Sequence, residues 1–177
     1  MGKWSRGDSR GAALVELAFA LPILVMLLVG MVSAGIAYNH QLALTHSARE
    51  GGRYGATLPV NPGTMDDWLE TVINQTVADA TGTVDPGVPG RYICVAYVHP
   101  NGTAAGDTTT RRIMNESGLQ GSQGGTECFA SGDGRPDSER RVQVVVGRDT
   151  DFSVVFFSSV LNLDAEAVNR FEAALGS

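Results

Sequence analysis

The sequence predicts an α+β protein: a long N-terminal transmembrane helix that continues into a small exported domain with an antiparallel sheet and one further helix. Three observations lead there. An almost uncharged apolar block fills residues 12–38 of the 177-residue chain. Charged, Gly-rich and Thr-rich sequence follows it, and the overall apolar content of 43% is that of an ordinary globular protein. Alternating, β-branched runs then appear at Arg91–Val98, Arg141–Val146 and Phe152–Phe157, which is the pattern of strands.

From Leu17 to Ala37 there are 21 residues without a charge. At 1.5 Å per residue a helix of that length matches a hydrocarbon core of about 30 Å. Pro22 lies inside it and removes one backbone hydrogen bond, a defect that membrane helices tolerate. Gly30 and Gly35 offer small contact surfaces but are five apart, which is not the small-xxx-small spacing. A cleaved secretory signal competes with this reading, because the lead is basic and Val32-Ser33-Ala34 carries small residues. The apolar run exceeds the roughly 7–15 residues of a signal core and begins with an acid, which favours a retained anchor. Arg6 stands where a myristoylation pattern wants Ser or Thr.

That acid is Glu16. A carboxylate at the edge of an apolar span costs a few kcal/mol unless neutral or paired, so it suggests a partner; the bland alternative is hydration among headgroups. Gly11 precedes Ala12-Ala13-Leu14-Val15-Glu16. A cut after Gly11 would leave a free amine at Ala12 and a carboxylate at the fifth position of the new chain. The arrangement resembles the processing site of type IV pilins and pseudopilins, in which a prepilin peptidase cuts after the glycine. There the acid pairs with the amine of a neighbouring subunit, neutralising two stranded charges at membrane depth.

Residues 10–56 carry Arg10-Gly11, Glu16, Pro22, Gln41-Leu42 and Ala48-Arg49-Glu50-Gly51-Gly52-Arg53-Tyr54-Gly55. Together these resemble the TadE-like proteins of the tight-adherence (Flp) pilus system. The resemblance implies a minor pseudopilin or assembly component with a pilin-like domain, working beside other pilins, the pilus assembly machinery and a prepilin peptidase. It also implies a cytoplasmic N-terminus, making residues 1–11 a basic cytoplasmic leader, 12–38 the transmembrane helix in membrane lipid, and 39–177 the extracytoplasmic domain. Leu17 departs from the aromatic residue common after the glutamate in processed members, and some relatives keep the anchor uncut. The tail, Leu161 to Glu172, also looks like the end of such proteins.

Beyond the membrane the helix continues with a narrow small-residue face at Leu42, Leu44 or Thr45, Ala48, Gly52 and Gly55, while Gln41, His46, Arg49 and Arg53 face elsewhere. Arg49 and Arg53 are read as subunit contacts, headgroup anchors or solvated charges. Leu58-Pro59 and Asn61-Pro62-Gly63 end the helix. A second helix follows, capped by Thr64 with Asp67 three later, and with apolar positions Leu69, Val72, Ile73, Thr76, Val77 and Ala80 before Gly82. That stripe reads as core. Leu161–Val168 reads as a last strand or a short helix. Residues 100–139 read as a long polar insertion with eight glycines.

Cys94 and Cys128 lie on the exported side, where a disulfide is expected; unrelated buried thiols are the alternative. Their spacing is not that of a zinc site. Residues 39–177 hold ten Arg against seventeen Asp and Glu, an acidic balance that argues against nucleic acid as partner. No enzyme, cofactor or metal is expected. His40, His46 and His99 are scattered, and there is no nucleophile elbow, P-loop or dinucleotide glycine pattern. Asp133-Gly134-Arg135 reads as a turn rather than a calcium loop. The alternative to an assembly component is a secreted or membrane-tethered surface-binding module that uses the Gly-rich insertion.

Overall fold

A computed structural model of the protein describes residues 9–60, 65–80, 82–85, 87–99, 109–129, 132–136, 138–154 and 157–171. Helix α1 runs from Ser9 to Thr57, 49 residues, and passes through Pro22 without a break. At 1.5 Å per residue it is about 74 Å long, more than twice a bilayer core. It stops where the sequence said it should: the Leu58 N–H donates to the Gly55 carbonyl at 3.2 Å, and Pro59 follows.

Helix α2, Met65–Asp79, opens on Asp66 and Asp67, whose charges suit a helix N-terminus. It buries Trp68, Leu69, Val72, Ile73 and Thr76; the expected cap Thr64 lies outside the described residues. Trp68 widens the expected stripe by one residue and packs edge-on against Tyr97 and at a tilt against Phe171.

One antiparallel sheet holds β1 (Arg91–Val98), β2 (Thr110–Asn115), β3 (Gly118–Leu119), β4 (Gln123–Gly124), β5 (Arg141–Val154) and β6 (Phe157–Arg170). Its order is β3-β2-β1-β5-β6, with β4 on β2. The protein is thus α+β, with a long apolar helix, one further helix and a small antiparallel sheet. Ile93, Val95, Tyr97, Val142, Val144 and Val146 line the face beneath α1 and α2, forming one core with Leu44, Ala48, Leu69, Val72, Ile73, Ala165 and Ala167.

The strands differ from expectation in two ways. The runs at 141–146 and 152–157 belong to a single hairpin: β5 continues through Gly147–Asp151 to Val154, and Phe157 already starts β6. The polar letters between the runs suggested a break, but cross-strand pairing with β6 satisfies the backbone all the way from Arg141↔Arg170 to Val154↔Phe157. Leu161–Val168 is strand, not helix, for the same reason. Within the 100–139 insertion, Thr110–Asn115 pairs with β1 and adds a strand to the sheet.

Candidate membrane and subunit interface

The first half of α1 is apolar and bare. Residues 11–36 are exposed apart from half-buried Met26, Gly30 and Ser33, and an 18-residue window there has a mean hydropathy of 2.6 with nothing covering it. Leu14, Phe19, Ile23, Leu28, Met31 and Val32 all stand in the open. Such a surface, apolar on every side, belongs in lipid or among other apolar helices. This single helix fits a single-pass membrane protein.

Gly11, Ala12 and Glu16 all lie exposed on α1, near its start. Ala12 and Glu16 are one helical turn apart on the same face, a rise of about 6 Å. A second copy displaced along the axis by about a turn would therefore bring its residue 12 beside this Glu16. The Gly11–Ala12 bond is itself within the helix.

Past Ala37 the same helix becomes a core element. Ala37, Leu44, Ser47, Ala48, Gly51, Gly52, Gly55 and Ala56 are buried, while His46, Arg49 and Arg53 are exposed. A methyl placed on Gly51 would overlap the Thr76 hydroxyl of α2, and one on Gly55 would lie 3.2 Å from both Val72 and Val142. Of the small face anticipated, Leu44, Ala48, Gly52 and Gly55 are buried but Leu42 stands exposed, and Gly51, unflagged by the sequence pattern, makes the tightest contact. Gln41, expected to face elsewhere, instead donates to the Asp164 carbonyl of β6 at 2.8 Å. Arg53 meets Glu50 only at 3.9 Å with both side chains open to solvent, an ion pair of little energetic weight.

The β5–β6 hairpin runs back along the helix toward the bare half. The Thr150 hydroxyl lies 3.3 Å from His40 Nδ1, and the Ser33 hydroxyl donates to the Ser153 carbonyl at 2.7 Å. Burial lowers the His40 pKa, and the charges of Arg148 and Arg91 lower it further. Nothing in the alternation of the hairpin announced this contact.

The other face of the sheet is closed by the end of the insertion. Cys94 and Cys128 form the expected disulfide, with Cα atoms 5.8 Å apart. Arg141, 2% exposed, pairs with Asp133 and, at 3.7 Å, with Glu127, and donates to the carbonyls of Pro136 and Glu139. Gln143 donates to Glu127 and Asp133 at 2.8 Å and accepts from the Cys128 N–H at 3.1 Å. Burial pushes the Asp133 carboxyl up, but bonds from Gln143, Arg141 and the Arg135 N–H, with the Arg141 charge, outweigh it and hold the pKa low. The signal was in the strand: Arg141 and Gln143 alternate with Val142 and Val144, marking a face that needed polar company.

Residues 11–53 match the family model described as TadE-like protein. Over this segment the chain is similar to TadE-like proteins. The match begins at the glycine before Ala12 and ends at Arg53, so it takes in the bare helix and most of its packed continuation, but neither α2 nor the sheet. TadE-like proteins are associated with the Tad pilus, which links the chain to pilus assembly components in general. No curated protein and no solved structure matches the chain.

Proposed function

We propose that the chain is a minor pseudopilin or assembly component of a tight-adherence, type IV-like pilus, acting by helix packing and subunit contacts and turning over no substrate. The observation that carries this reading is the bare apolar half of α1, with Glu16 one turn after Ala12. Its N-terminus lies in the cytoplasm and the sheet domain outside. A prepilin peptidase cuts after Gly11. The new amine at Ala12 then pairs with Glu16 of a neighbouring pilin-like subunit, so that neither charge is left alone at membrane depth.

The test is N-terminal sequencing and filament assembly in cells that carry their prepilin peptidase, comparing the parent chain with Glu16→Ala. The expected parent terminus is Ala12. The expected effect of Glu16→Ala is lost assembly with unchanged thermal unfolding of the exported domain. Normal assembly by Glu16→Ala would sink the pairing mechanism, and an uncut parent would exclude entry to the filament by the pilin route.

A further inference from the structure

The β5–β6 hairpin places Ser153 of β5 against a helix segment that the bilayer should occupy. Ser33, bonded to the Ser153 carbonyl, lies four residues inside the apolar run that ends at Ala37. That is about 6 Å below its end at 1.5 Å per residue. The hairpin changes character at the same level as the helix. Asp149 and Asp151 are exposed on β5, and from Phe152 to Leu163 the sequence holds no charge. The His40–Thr150 contact marks the polar side of that boundary, and the Ser33–Ser153 bond marks the apolar side.

Past the Ser33–Ser153 level Phe157, paired with Val154, is 63% exposed, while Val160 and Leu161, paired with Asp151 and Thr150 at the boundary itself, are 55% and 37% exposed. Together they continue the uncovered apolar belt of α1 sideways onto a second element. From this geometry we propose that the end of the hairpin is a second membrane contact. Phe157 sits among the upper acyl chains of the leaflet through which α1 leaves the bilayer, and Val160 and Leu161, level with Asp151 and Thr150, sit among the headgroups. Aromatic and aliphatic side chains are at home at that depth. The outer backbone edge of a hairpin keeps unpaired N–H and C=O groups, which hydrocarbon would leave unsatisfied, so the contact stops at the interface. The consequence is mechanical: the exported domain is held to the bilayer at two points, which fixes its rotation about the α1 axis.

This inference rests on the reading of α1 as a membrane anchor, and the test separates the two. The full chain is reconstituted into phosphatidylcholine vesicles, with and without lipid brominated near the headgroup end of the acyl chains. Phe157→Trp is compared with Arg170→Trp, an exposed position at the opposite end of β6, and with the parent chain, whose Trp4 and Trp68 supply the background. Both positions are exposed, so neither change disturbs the core. Expected are vesicle flotation of all three chains, blue-shifted added emission from Phe157→Trp that loses most of its intensity to brominated lipid, and unquenched emission from Arg170→Trp.

Flotation with red-shifted, unquenched emission from Phe157→Trp would overturn the hairpin contact while leaving the anchor in place. Blue-shifted but unquenched emission that grows with the protein-to-lipid ratio would seat a second copy on the tip and overturn the lipid assignment. Failure of the parent chain to float would remove the anchor and the hairpin contact together.

Discussion

Two halves of one helix obey opposite rules. In residues 11–36 of α1 large apolar side chains stand in the open, and a glycine such as Gly30 has nothing within 4 Å of where a Cβ would be. In residues 37–57 the covered positions are mostly small, and glycines sit where a Cβ would collide with α2 or β5. The first half is almost bare of contacts from its own chain. The second half has them already, from its own chain. Helix formation is common to both, so secondary structure cannot distinguish them; only side-chain size against available space does.

The comparison can be broken most severely by releasing the domain that covers the second half. Cys94→Ser with Cys128→Ser opens a loop spanning a sequence separation of 34. A loss of about 3–4 kcal/mol is expected from the loop-entropy relation, read as a lower urea midpoint of the exported domain in detergent. Flotation with vesicles should not change, because the bare half owes nothing to the disulfide. Loss of flotation would contradict the division into two halves.

A matched pair sharpens it further. Gly51→Val drives a side chain into Thr76 and should cost about 2–3 kcal/mol in the same urea experiment, in the range of core overpacking. Gly30→Val meets open space and should leave the domain's midpoint where it was. Equal effects at the two positions would mean that the whole helix is packed alike.

A smaller effect comes from pH. The Asp133 carboxyl in the folded protein titrates below its ordinary value of 3.8. A depressed folded pKa adds stability above 3.8 and loses it as the pH falls from there through the folded value. Urea midpoints measured from neutral pH down through that range should therefore fall, and the fall should be shallower in Asp133→Asn. Because Asp133 belongs to the layer over the far face of the sheet, membrane flotation should be indifferent to it.

Much of this molecule was legible in its letters. The apolar length of residues 12–38 marks a candidate membrane helix through hydropathy, and the glycine and acid at its mouth suggest a processing and pairing site through their resemblance to pilins. The stop at Leu58-Pro59, the stripe of α2 and the alternation of β1 follow from local sterics and periodicity. The TadE-like match covers the same segment in which those local signals are strongest.

Longer-range facts were not local. That the run at 141–146 continues as one strand to Val154 depended on a partner, β6, able to satisfy fourteen consecutive residues of backbone. That Thr110–Asn115 is a strand depended on a free edge of β1. Gly51 outranks Gly52 and Gly55 in closeness because of where α2 crosses, and crossing angles are not written in either helix. By itself the sequence determined the two helices, the extended runs at 91–98 and 141–146, and the stretch too apolar for water. Only the tertiary structure decided which face of the helix the domain covers and that a hairpin returns to the level of Ser33, because those outcomes depend on how separate elements meet in space.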